Sequence, residues 1–182
     1  IFENDTIGPL GIGYNGDGCI PGRFPKNCPK LSLKLKFTWT SSNYRLYGKK
    51  KLNFLAMNKD NTQMHERLGF WIYRKMGVPA PRAVHAKVYV NGIYHGLFTH
   101  VEQVDGKFTK AQYPNDPDGN LYKDTWPTEY GDTAKSTQNF INNLETNTST
   151  TDVSIIKGFA DAMVATNDPS NAAYILSTYM DI

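Results

Sequence analysis

The chain has 182 residues, of which 40% are hydrophobic and 13% aromatic. This composition is typical of one globular domain and excludes disordered, collagen-like and disulfide-scaffold proteins. No run of about 18 apolar residues occurs, so the sequence predicts no membrane span. The net charge is only +3, but residues 18–59 contain ten basic and no acidic residues. Such a segment is typical of a surface that meets phosphate or an acidic partner, or of a solvated face.

Three short strands are predicted before residue 58. The first covers residues 10–14, and a dense turn signal follows it at Asn15-Gly16-Asp17-Gly18. In residues 30–39, Lys and Ser alternate with Leu and Phe, which predicts a strand with one apolar and one cationic face. These two strands form a hairpin with a long glycine-rich tip. Residues 51–57 are a further short apolar strand.

The strongest helix signal covers residues 60–76. Its apolar residues fall on one stripe, namely Met64, Leu68, Trp71, Ile72 and Met76. Asp60 or Asn61 can cap the free amides at the start of the helix, and Gly77 with Pro79 ends it.

A hairpin follows this helix. Residues 84–90 alternate apolar and polar side chains, Asn91-Gly92 predicts a type I′ turn, and a return strand covers residues 93–101. After Gly106 the sequence is rich in loops, and helical patterns return from about Thr133. The order of strands, one helix, strands and then helices predicts an α+β fold.

Residues 11–16 spell the pattern GxGxxG. In a dinucleotide-binding fold this pattern must open a helix, but here Pro21, Gly22 and Pro25 follow it, so we exclude that fold. A glycine-rich hairpin over nucleotide phosphates, as in protein kinases, fits the predicted strand, loop and strand. A plain turn is the alternative.

Lys34 and Glu66 have the residue types of a kinase phosphate site. In kinases, a carboxylate on the helix orients a strand lysine, whose ammonium neutralises phosphate oxygens. The alternative is that Lys34 is a solvent-facing strand residue and Glu66 an exposed helix residue. The four histidines and the loop carboxylates do not have the spacing of metal ligands, so no metal site is predicted.

Cys19 and Cys28 can form a short-loop disulfide, which would imply an oxidising compartment. Two free thiols in a cytosolic protein are the alternative. Glycosylation sequons at Asn4 and Asn147 favour a secreted protein.

Several ordered segments closely resemble the CotH kinase-like family, named for spore coat protein H. They are residues 29–37, 50–54, 64–70, 76–82, 88–92, 96–98, 101–105 and 119–123, and the resemblance extends over residues 10–182. It implies an atypical protein-kinase-like N-lobe, with a twisted antiparallel sheet and one inserted helix, followed by helices that begin a C-lobe. Residues 1–182 would be a single domain, with the N-lobe and hinge in about residues 10–110 and the C-lobe beginning in about residues 111–182.

The resemblance also implies a site for ATP with Mg²⁺. Gly16 and Gly18 would lie in the loop that covers the phosphates, and Lys30 or Lys34 would contact phosphate. Glu66 would pair with that lysine, and Glu102, Gln103 and Val104 would form the hinge beside the adenine. Family members commonly have Arg where this chain has Asn15.

The family's catalytic and metal-binding aspartates lie in segments that resemble Asn-Trp-Asp and Asp-Phe-Asp. Neither segment occurs in this sequence. We therefore expect an incomplete domain that ends where the catalytic lobe begins, and we assign no catalytic residue. Asp168 lies too early in the chain to take that role.

The implied function is that of a secreted or surface-associated kinase that transfers phosphate from ATP to Ser or Thr of a protein substrate. The alternative is an inactive extracellular structural or adhesion module that contacts an assembly partner through Trp39, Tyr44 and Trp126. Nucleic-acid binding by residues 18–59 is disfavoured, because no stacking surface or binding motif accompanies the charge.

Overall fold

The computed structural model describes residues 7–15, 28, 30–129, 133–165 and 170–179. The chain divides into two compact units, Ile1–Val104 and Asp105–Ile182. Within the described residues, the first unit contains a five-stranded antiparallel sheet and the second contains helices and a two-stranded sheet. The predicted α+β class is confirmed.

The strands of the large sheet are β1 (Gly11–Tyr14), β2 (Leu33–Lys36), β3 (Lys51–Leu55), β4 (Ala83–Val90) and β5 (Ile93–Val101). Their order across the sheet is β1-β2-β3-β5-β4. The strand predicted at residues 30–39 is shorter in the structure, because Phe37–Trp39 form a 3-10 helix. This turn buries the Phe37 ring, which an extended strand would have left on the half-exposed sheet surface.

The register of the strands defines two faces of this sheet. Lys34 pairs with Asn53, Asn53 with Val101, and Val101 with Ala83. Paired residues project from the same side, so these residues define the Lys34 face. Their neighbours along each strand, among them His100, project from the opposite side, the His100 face.

Helix α1 (His65–Lys75) connects β3 to β4. It begins later than predicted because Asp60 organises a turn before it, in which the carboxylate accepts hydrogen bonds from the backbone N–H groups of Thr62 (3.0 Å) and His65 (2.7 Å). Asp60 is therefore not the N-cap residue, which is Met64, but its carboxylate does bind the first amide of the helix, that of His65. The apolar stripe of α1 is largely exposed, and the helix contains no buried residue.

The turn between β4 and β5 has the predicted geometry. Asn91 and Gly92 have φ values of 51° and 80°, as a type I′ turn requires. The return strand has the predicted bounds, Ile93–Val101.

The second unit contains α2 (Gly106–Gln112), β6 (Thr128–Glu129), β7 (Thr133–Ala134), α3 (Thr137–Asn142), α4 (Ser154–Ala165) and α5 (Ser170–Tyr179). Phe140, Val153 and Ala160 form its buried core. In the part of the chain that the structure describes, no helix has both the length and the apolar character needed to cross a membrane.

Candidate functional site

The β1–β2 hairpin exists as predicted. The two strands pair antiparallel, and the Asn15 N–H extends the ladder by donating to the Ser32 carbonyl (2.9 Å). Gly11 and Gly13 of the glycine pattern therefore lie in a strand and not at the start of a helix, which rules out the dinucleotide-binding interpretation. Gly16 and Gly18 lie outside the described residues.

Lys34 is half-buried on the sheet, between Gly13 of β1 and Asn53 of β3. Among the described residues, no side chain or carbonyl pairs with its ammonium group. A half-buried cation with unused donors, on the second strand of a glycine-rich hairpin, is suited to contact an anionic ligand.

Asn53 and Gln103 form an amide pair on the Lys34 face. Asn53 Nδ2 donates to Gln103 Oε1 (2.9 Å), and Gln103 Nε2 donates to the Val104 carbonyl (3.3 Å). The second bond fixes the orientation of the Gln103 amide, and the first then fixes that of Asn53. As a result, Asn53 Oδ1 is buried without a hydrogen-bond partner in the described structure. Sequence reasoning missed Asn53, although a polar residue inside the apolar run of β3 was a signal.

Glu66 lies in the first turn of α1, and its Oε2 atom is buried without a hydrogen-bond partner among the described residues. The start of α1 approaches the sheet through His85, which lies two residues after Ala83 and so on the Lys34 face. His85 Nε2 is 2.7 Å from the Gln63 carbonyl oxygen, and Nδ1 is 3.3 Å from Arg67 Nη1. Gln63 and Arg67, which flank Glu66 in the chain, thus contact a residue of the Lys34 face. The structure shows no ion pair between Lys34 and Glu66 within the described residues.

Lys30 is engaged in contacts inside the protein. Its ammonium donates to the Leu97 carbonyl and lies 4.5 Å from the centroid of the Phe98 ring. Phe98 lies two residues before His100 and so on the His100 face. Burial lowers the pKa of Lys30. These contacts distinguish Lys30 from Lys34, whose ammonium has no partner in the part of the chain that the structure describes.

The Glu102 carboxylate binds two cations. Arg82 donates to it from Nε (3.0 Å), Nη2 (2.7 Å) and its backbone N–H (3.2 Å), and Lys49 Nζ lies 3.3 Å away. The hydrogen bond from Arg82 holds the pKa of Glu102 at about 2, against the opposing effect of burial. The side chain of Glu102 therefore joins the starts of β3 and β4 across the end of β5.

The backbone of residues 103 and 104 forms fewer hydrogen bonds than that of Glu102 in the described structure. The Glu102 N–H donates to the Arg82 carbonyl (2.8 Å), whereas no backbone hydrogen bond engages the N–H groups of Gln103 or Val104 in the described structure. The described residues also contain no group of three or more His, Cys, Asp or Glu side chains that could hold a metal ion. Asp168 lies outside them.

A search of curated proteins finds no match to this chain. A family model described as CotH kinase protein matches residues 19–182. The match includes β2–β5, all the helices and every candidate site residue except Gly16 and Gly18. The chain therefore belongs to the CotH kinase family.

Proposed function

We propose that the Ile1–Val104 unit binds ATP with Mg²⁺ on the Lys34 face, and that this serves phosphate transfer to Ser or Thr of a protein. Membership of the CotH kinase family supports a kinase-like function. The observation that carries the proposal is that, among the described residues, neither the Lys34 ammonium nor the buried Oε2 atom of Glu66 has a partner, while the start of α1 contacts the Lys34 face through His85.

In this proposal, Lys34 contacts the phosphates and Glu66 orients its ammonium. A buried carboxylate oxygen without a partner is costly, and an ammonium drawn between it and a phosphate would satisfy both anions. Gly16 and Gly18 would cover the phosphates from the β1–β2 tip. We assign the phosphate contact to Lys34 because Lys30 already donates to the Leu97 carbonyl.

The described residues offer no cluster of three ligating side chains, but Mg²⁺ at nucleotide sites is commonly held by the phosphates with one or two carboxylates. When bound, the ion would neutralise charge on the triphosphate. The residues proposed here contact the nucleotide itself.

The adenine would lie beside Gln103 and Val104. Their backbone N–H groups have no partner among the described residues, and the Asn53–Gln103 pair holds this segment against β3. Glu102 would act indirectly, because its carboxylate is already bound to Arg82 and Lys49 and fixes the start of the segment.

The test is a thermal unfolding titration with Mg²⁺-ATP. We expect ATP to raise the melting temperature, Lys34→Met to remove the rise, and Glu66→Gln to reduce it. Lys110→Met is the matched control, because Lys110 is an exposed lysine of α2, outside the unit that holds the proposed site. An undiminished rise in Lys34→Met would contradict the assignment, and no rise in the unaltered protein would contradict ATP binding.

The second candidate is an inactive extracellular module that contacts a partner. Trp39 and Trp126 are 67% and 75% exposed, which favours a contact surface at these rings. Tyr44 is half-buried against Phe37, so it fits this role less well. This candidate predicts that no Mg²⁺-ATP binds and that Trp39→Ala or Trp126→Ala weakens partner binding. In either case, we propose a secreted or surface-associated protein.

A further inference from the structure

A pocket of about 250 Å³ lies at the end of β5, and its lining includes residues of both faces of the sheet: Leu52, Val84 and His100 from the His100 face, and Lys51, Ala83 and Gln103 from the Lys34 face. Leu52, Val84 and the His100 ring supply apolar surface, and Lys49, Arg82 and Glu102 supply charge. Gln103, beside which the adenine would lie, also lines this pocket, whereas Lys34 and Glu66 do not, so the pocket adjoins the proposed nucleotide site at its adenine end.

The charges in this pocket are unbalanced. Lys49 and Arg82 both contact the same oxygen, Oε1 of Glu102, so two adjacent cations share one carboxylate. The Glu102 side chain is only 10% exposed, whereas those of Lys49 and Arg82 are 36% and 74% exposed. The anion is therefore buried behind the cations, and the surface offered to a ligand is positive.

The Arg82 guanidinium is oriented for a second anion. It binds Glu102 through Nε and Nη2, and its backbone N–H binds the same carboxylate. In the described structure, Nη1 has no partner, so the edge formed by Nη1 and Nη2 is available. This edge can bind an oxyanion through two parallel hydrogen bonds. Because Glu102 already holds the group in place, little side-chain entropy is lost on binding.

The apolar part of the pocket indicates which kind of group bears the oxyanion. The His100 ring packs 5.3 Å from the Phe54 ring, and Nδ1 donates to the Asn53 carbonyl (3.0 Å), so the ring orientation is fixed. Leu52 and Val84 lie beside it and can contact methylene groups. A side chain with a short apolar stem and a terminal oxyanion matches this arrangement and this volume.

We propose that this pocket binds an oxyanionic side chain of a peptide, either a carboxylate of Glu or Asp or the phosphate of phosphoserine. The cations proposed to bind the peptide, Lys49 and Arg82, are not among the residues proposed to contact the nucleotide. Such a side chain would come from an acidic segment of a partner protein or from a protein that carries phosphoserine.

The test is fluorescence anisotropy with labelled neutral peptides that contain one Glu, one phosphoserine or, as control, one Gln, in excess Mg²⁺-ATP. We expect saturable binding of the Glu peptide, the phosphoserine peptide or both, and at least tenfold weaker binding of the Gln peptide. The two anionic peptides distinguish the two sources of the oxyanion. Arg82→Lys keeps the charge but removes the pair of parallel N–H donors of the guanidinium, so we expect about tenfold weaker binding. Lys87→Gln removes an exposed cation of β4 that does not line the pocket, so it should have no effect.

A matched pair of variants tests the pocket without touching Glu102. Val84 is 53% exposed on β4, so both Asp and Asn are tolerated there. We expect Val84→Asp to abolish binding of the anionic peptides by repulsion and Val84→Asn to preserve it. Equal binding by these two variants would overturn the proposal, as would equal binding of the Gln peptide, or tighter binding of duplex DNA than of either peptide.

Discussion

Glu102 is the residue whose electrostatic contribution to stability is best defined. Its pKa is about 2 in the folded protein against an ordinary 4.5, because Arg82 and Lys49 donate to the carboxylate. A lowered pKa contributes stability that is complete above the unfolded pKa and is lost as the pH falls from about 4.5 to 2. Since Arg82 is largely exposed, we expect Glu102→Gln to lower the free energy of unfolding by about 1–2 kcal/mol at pH 7. Urea denaturation measures this.

The pH dependence distinguishes this effect from a simple packing defect. The difference between the unaltered protein and Glu102→Gln should shrink as the pH falls towards 2, because protonation of Glu102 removes the same interaction. Glu145→Gln, at an exposed position of the second unit, is the control and should change stability little. A difference that stays constant with pH would contradict this account.

At the scale of elements, the sequence pattern correctly predicted those turns and strands whose geometry is set by residues adjacent in the chain. The type I′ turn and the return strand at residues 93–101 were found as predicted, because Asn91-Gly92 specifies its own backbone geometry. The start of α1 and the end of β2 were misplaced. Side-chain bonds of Asp60 and the burial of Phe37 decided these boundaries, and both depend on contacts that periodicity does not report.

The candidate site was only partly predictable for the same reason. Lys34 and Glu66 were proposed from residue types and a family resemblance. The Asn53–Gln103 pair and the binding of Arg82 to Glu102 join residues that are 50 and 20 positions apart. Contacts of this kind follow from the order of the strands, in which β5 lies between β3 and β4, and no local pattern encodes that order.

The β4–β5 turn gives a test at the element scale. Gly92 has a φ of 80°, so we expect Gly92→Val to lower the free energy of unfolding by at least about 1 kcal/mol. Gly69 lies within α1, and a Cβ added there meets no atom within 4 Å. Gly69→Ala should therefore stabilise the protein, by about 0.5–1 kcal/mol. Thermal unfolding measures both, and a change of the same sign in both variants would contradict the argument.

At the scale of the whole molecule, the proposal of a secreted protein relies on one possible disulfide and two glycosylation sequons. Cys19 and Asn4 lie outside them, so the disulfide and the first sequon stay predictions. Asn147 Nδ2 donates to the Asp118 carbonyl and to Asn120 Oδ1 (2.8 Å), and a glycan would be attached to this same nitrogen. In the structure, the second sequon therefore holds two loops together.

The predicted disulfide can be tested by alkylation of the denatured protein followed by mass measurement. Because Cys19 and Cys28 are the only two cysteines, we expect no alkyl group to be added before reduction and two to be added after it. Protein from an oxidising host is required, and the reduced sample is the control for access of the reagent. Two alkyl groups before reduction would contradict the disulfide and remove one argument for secretion.

The position of β5 has a consequence for the dynamics of the first unit. Phe98 and Thr99 are adjacent on this strand and project to opposite sides, yet both are 0% exposed. The sheet is thus covered on both sides at this point; β4 pairs with both residues, and β3 pairs with Thr99. Their amide hydrogens can exchange with deuterium only when the unit opens extensively, whereas α1, which has no buried residue, can open locally. Exchange at residues 98 and 99 would therefore report global unfolding of this unit, free of the local motions of its helix.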